Sequence, residues 1–64
     1  MIEEYRDVVI EYLQKLKERA PDLRVVVRDR IFTIDELMEE VRNLTSYGKT
    51  YIAMVISQLQ YYVQ

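Results

Sequence analysis

Residues 25–38 read Val25-Val26-Val27-Arg28-Asp29-Arg30-Ile31-Phe32-Thr33-Ile34-Asp35-Glu36-Leu37-Met38, and this stretch decides the fold. Three consecutive β-branched residues suit a pleated, half-buried backbone, so a short strand is predicted within the extended segment 23–32. Arg28-Asp29-Arg30 can fold that strand into a hairpin with Ile31-Phe32 as its return. The Asn-Gly or Gly-Gly signature of tight hairpins is missing, and one longer strand is the alternative. Thr33-Ile34-Asp35-Glu36 then forms a capping box. The Thr33 hydroxyl can accept from the Glu36 N–H while the Glu36 carboxylate accepts from the Thr33 N–H. A helix is expected over 34–44, with Ile34, Leu37, Met38, Val41 and Leu44 on one face. A strand or hairpin running straight into a capped helix makes the class α+β.

Upstream, residues 2–19 have the period of an amphipathic helix. Ile2, Tyr5, Val9, Tyr12, Leu13 and Leu16 recur every three or four positions among charges. Tyr5 and Tyr12 are therefore expected in the core, with their hydroxyls in water. Glu11 and Lys15 are ordered for an i,i+4 pair, and Lys15, Lys17 and Arg19 suit the negative end of the helix dipole. Pro21 disfavours helical geometry at Ala20 and ends the helix.

Downstream, Thr45-Ser46-Tyr47-Gly48 is read as a break, with Gly48 supplying a positive φ and Ser46 or Thr50 capping a last helix over 50–63. That helix carries no charge, and Tyr51-Ile52-Ala53-Met54-Val55-Ile56 makes it apolar nearly all round. Ile52, Val55, Leu59 and Tyr62 can face the chain's own core, leaving Tyr51, Met54, Ile56 and Val63 turned elsewhere. Helices greasy on every side are normally buried on every side, and so short a chain has little with which to cover one. A homodimer packed through this helix is expected, with Tyr51, Met54, Val55, Ile56, Leu59, Tyr62 and Val63 as the oligomer interface.

Composition agrees. Sixty-four residues make one domain, 1–64, near the lower size limit for independent folding. Such domains usually lean on disulfides, a metal or a partner. With no Cys and no His the first is excluded and the second disfavoured. Met1-Ile2 runs straight into Glu3-Glu4, unlike a secretory signal, and the uncharged segment 50–64 is shorter than the ~20 residues a membrane span needs. A cytoplasmic protein without a membrane segment is expected. The net charge is −2, and Arg24, Arg28 and Arg30 form the one local basic spot.

No motif names a reaction. Gly48-Lys49-Thr50 ends like a phosphate-binding P-loop, but that motif needs a glycine where Asn43 stands, and a strand before it. Asn43-Leu44-Thr45 matches a glycosylation sequon and is read as helix termination. Glu36 with Glu40, and Glu3 with Asp7, share polar helix faces and read as solvated. Without His or Cys no usual nucleophile–base pair can be assembled, so a non-enzyme without cofactor or metal is expected. The expected function is a small structural or protein-interaction module that binds itself, with the hairpin available to another protein.

The alternative is DNA binding. From Leu23 onward the order strand, helix, turn, helix resembles a ribbon-helix-helix protein. The resemblance covers about two-thirds of the chain and is architectural. It implies paired strands from two subunits in the major groove, with Arg24, Val26 and Arg28 on the reading face, and second helices forming the dimer core. Arg30 and Lys49 would be further contacts, and the Ser46–Thr50 turn would offer N–H groups to a phosphate. The long first helix and the acidic residues Asp35, Glu36, Glu39 and Glu40 lie outside that pattern.

Overall fold

In a computed structural model, residues 2–63 are described, with side chains as far as Gln58. A 3₁₀ turn at Ile2–Tyr5 leads into helix α1, Arg6–Arg19; strands β1, Arg24–Val27, and β2, Arg30–Thr33, follow; helices α2, Ile34–Arg42, and α3, Ser46–Val63, complete the chain. The α+β class and the element order are those the sequence predicts.

Helix α1 stops where Pro21 requires, with the Ala20 N–H still donating to the Leu16 carbonyl at 2.8 Å. Its Glu11–Lys15 pair forms at 3.6 Å between two well-exposed side chains, so it contributes only tenths of a kcal/mol. Lys17 reaches from the last turn of α1 to both Asp35 oxygens, at 2.8 and 2.9 Å, and ties this end to the start of α2.

The strands form an antiparallel hairpin rather than one long strand. Val25 pairs with Phe32, Val26 with Ile31 and Val27 with Arg30, which leaves Arg28-Asp29 as a two-residue turn. Tight hairpin turns need positive φ at their first position, and Arg28 takes it, at 56°. Left-handed backbone costs an L-residue about 1–2 kcal/mol, and the Arg28 side chain offsets it. Its guanidinium donates to Ser46 Oγ at 2.8 Å and lies 4.1 Å from the centre of the Tyr47 ring.

The capping box of α2 is present in full, with the Glu36 N–H to Thr33 Oγ1 at 3.0 Å and the Thr33 N–H to Glu36 Oε1 at 2.8 Å. The α2–α3 junction departs from expectation in three respects. Helix α2 ends at Arg42 rather than Leu44, because Leu44 itself adopts φ 53° and turns the chain. Helix α3 starts at Ser46 rather than residue 50, and Thr45, neither Ser46 nor Thr50, caps it by accepting from the Gly48 N–H at 3.1 Å. Gly48 is therefore inside a helix, with no positive φ. It is needed for a different reason: a Cβ there would lie 2.1 Å from the Glu40 carbonyl oxygen. Only a bare Cα lets α3 cross so close to the end of α2.

Helix α2 is the hub. Ile34, Leu37, Met38 and Val41 are all buried, and α1, α3 and the hairpin pack around them. Val9 and Leu13 of α1, Val27 and Phe32 of the hairpin, and Tyr51, Ile52 and Val55 of α3 complete the core. Each fully buried aliphatic or aromatic side chain stabilises by up to roughly 1.5–3 kcal/mol relative to exposure.

A candidate self-association surface

Helix α1 has a wider apolar face than α2 can cover. Val9 and Leu13 point into the core, but Tyr5, Val8 and Tyr12, one further step round the helix, remain 42%, 58% and 47% exposed. The placement of Tyr5 and Tyr12 in the core is thus corrected. Because α1 and α3 both pack on α2 more closely than on each other, a groove stays open between them. It has a volume of about 280 Å³, and its walls are Tyr5, Val8 and Tyr12 on one side and Ile56 and Gln58 on the other, over a floor of Val9 and Val55. Tyr51 lies buried close by. Its phenol is pushed up to about 12, first by that burial and then by the neighbouring Tyr12.

The expected interface residues divide into three groups. Tyr51 and Val55 are 7% and 9% exposed and belong to the protomer's own core. Ile56 is half-buried in the groove wall, while Met54, 42% exposed, is not part of that wall. At 100° per residue the two lie some 200° apart on the helix, so one flat contact cannot cover both. Leu59, Tyr62 and Val63 lie outside the side chains described.

The basic residues do not converge on a strand face. Arg24 is exposed and donates to the Asp22 carbonyl at 3.4 Å. Arg28 belongs to the turn. Arg30 lies 4.7 Å from the Phe32 ring centre and 5.2 Å from that of Tyr47, and Lys49 is exposed on the first turn of α3. Together Arg28, Asp29, Arg30, Phe32, Ser46 and Tyr47 clamp the hairpin tip to α3. Phe32 and Tyr47 meet edge to face at 5.4 Å, and the Tyr47 hydroxyl donates to Asp29 Oδ1 at 2.6 Å. That hydrogen bond holds the Asp29 carboxyl below its usual range and the Tyr47 phenol above its own. Sequence reasoning missed this clamp because its two halves, 28–32 and 46–47, are distant in the chain. The left-handed Arg28 that aims it carries no compositional signal.

The acidic face of α2 is engaged locally. Glu36 caps the helix, and its carboxyl is lowered chiefly by the Thr33 backbone N–H. Asp35 holds Lys17, Glu39 pairs with Arg42 at 2.8 Å, and Glu40 accepts from the Thr45 hydroxyl at 2.6 Å. Among the described residues no group of three acidic, His or Cys side chains is placed to hold a metal ion, and no helix is long and apolar enough to cross a membrane. The chain matches no protein-family model, no curated protein and no solved structure.

Proposed function

We propose that the chain is a non-enzymatic interaction module of the cytoplasm whose first partner is a second copy of itself. The observation that carries this reading is the apolar surface of Tyr5, Val8, Tyr12 and Ile56 beside a groove with an apolar floor. Tyrosine and aliphatic side chains in this arrangement are typical of subunit contacts. Covering three side chains that are about half exposed contributes roughly 2–5 kcal/mol per copy. Two copies together gain an amount of the order of the cost of association, so the pairing is concentration-dependent rather than permanent.

The DNA-binding reading draws less support. A ribbon-helix-helix protein pairs its strand with the partner subunit's strand, whereas β1 pairs with β2 of the same chain. Arg28 and Arg30 are stacked on Tyr47 and Phe32. The outer hairpin face, where the cross-strand pair Val26 and Ile31 is 59% and 66% exposed, is a second surface open to another protein.

Light scattering over a range of concentrations tests the proposal, with Val8→Glu as comparison. Val8 is the most exposed apolar residue of α1, so a carboxylate there leaves the fold intact. The parent chain is expected to gain mass with concentration, while the variant stays monomeric with an unchanged circular dichroism spectrum. A parent chain that stays monomeric at hundreds of micromolar would overturn it.

A further inference from the structure

Resting on the self-association proposed above, we infer that two copies pair by laying α1 antiparallel on the partner's α1 about a two-fold axis, with Val8 of each opposite Tyr12 of the other. Two features of the helix carry this. The first is relief. Besides the groove shared with α3, the outer face of α1 has a hollow between Val8, Glu11, Tyr12 and Lys15 and another between Tyr12, Lys15, Leu16 and Arg19. Tyr12 borders all three, and Val8 borders the first two. A two-fold contact requires each residue of a pair to meet the other in both directions. Val8 and Tyr12 stand one turn apart, and the antiparallel register places each ring of Tyr12 in the hollows beside the other copy's Val8.

The second feature is charge. Along this face the N-terminal half places Glu4 and Glu11, and the C-terminal half Lys15 and Arg19. Glu11 and Lys15 also pair along the helix at 3.6 Å, and Lys17 is turned to Asp35 of α2. A parallel pairing sets acid on acid and base on base. The antiparallel register brings the basic end of each helix over the acidic end of the other, and opposes the two helix dipoles favourably. It also sets Lys15 of one copy beside Tyr5 and Glu4 of the other. A second copy of α1 therefore fits this face both in shape and in sign of charge.

The chain has no cysteine, so single cysteines report the register without ambiguity. Glu4→Cys and Lys15→Cys are each treated with a short bismaleimide alone, and then as an equimolar mixture, alongside a light-scattering mass measurement. The expected result is a 4-to-15 product that dominates the mixture, with like-with-like products at collision background and all products lost in a Val8→Glu background. Efficient 4-to-4 and 15-to-15 products would establish a parallel pairing and overturn the inference. A dimeric mass without any of these products would also overturn it, while leaving self-association standing through another face. A monomeric mass would remove both.

Discussion

Replacing Gly48 by alanine should destabilise the domain, although it sits in a helix where alanine is ordinarily the better residue. On helix propensity alone the change would stabilise by about 0.8–1 kcal/mol. The added methyl, however, would lie 2.1 Å from the Glu40 oxygen, 2.5 Å from the Glu40 carbonyl carbon and 2.8 Å from the Val41 nitrogen. All three are backbone atoms, so no side chain can swing away. Ordinary contact requires α3 to retreat from α2 by more than an ångström. That movement loosens the core that the two helices share, to which α2 gives Val41 and α3 gives Tyr51 and Ile52. Overpacking of this kind costs about 1–3 kcal/mol, and the upper end applies where backbone meets backbone, so after the propensity gain a net loss of about 2 kcal/mol is expected. Since 1 kcal/mol shifts the Tm of so small a domain by roughly 4–8 °C, the fall should be about 8–16 °C. Thermal melts followed at the helical circular dichroism band measure it, at fixed concentration and in the Val8→Glu background so that association does not enter. A Gly48→Ala protein as stable as its parent, or more so, would refute the close approach of the two helices.

Thr33→Ala removes the capping box and should cost about 1 kcal/mol in urea denaturation, with an unchanged m-value. Arg28→Ala keeps the left-handed backbone but loses the Ser46 hydrogen bond and the Tyr47 contact, for about 1–2 kcal/mol. Arg28→Gly loses the same contacts but relieves the φ of 56°, so it should be about 1 kcal/mol more stable than Arg28→Ala. At alkaline pH the sign follows from Tyr51, whose phenol is neutral when protonated and whose pKa is raised from 10.0 to about 12 in the folded chain. Its contribution is complete below pH 10 and is lost as pH rises toward 12. Denaturation midpoints measured across that window should fall less steeply in Tyr51→Phe than in the parent.

Local chemistry was legible in the sequence, and distant contact was not. The capping box at Thr33 and Glu36, the stop at Pro21 and the three-valine strand each depend on residues within four positions of one another. Each appears where expected. The hairpin was one of two readings because its turn uses Arg28 in a conformation that Gly or Asn usually supplies. Gly48 is legible as a special position, but the reason for it is not. A glycine that turns the chain and a glycine that admits a neighbouring helix are identical in sequence, and only the Glu40 carbonyl beside it distinguishes them.

The same distinction relocates the apolar excess that first pointed to a partner. Counting greasy residues singles out α3, since no charge interrupts it after Lys49. In the fold, Tyr51, Ile52 and Val55 are buried in one core with the four buried residues of α2. Helix α1 sends Val9 and Leu13 into the core, with Ile10 and Leu16 partly buried against it, while Tyr5, Val8 and Tyr12 stay exposed. The charges of α1, which made it look like an ordinary surface helix, flank this stripe rather than interrupt it. Freedom from charge after Lys49 therefore marks a helix that the core takes up, while the apolar surface left open lies on the helix that carries the charges.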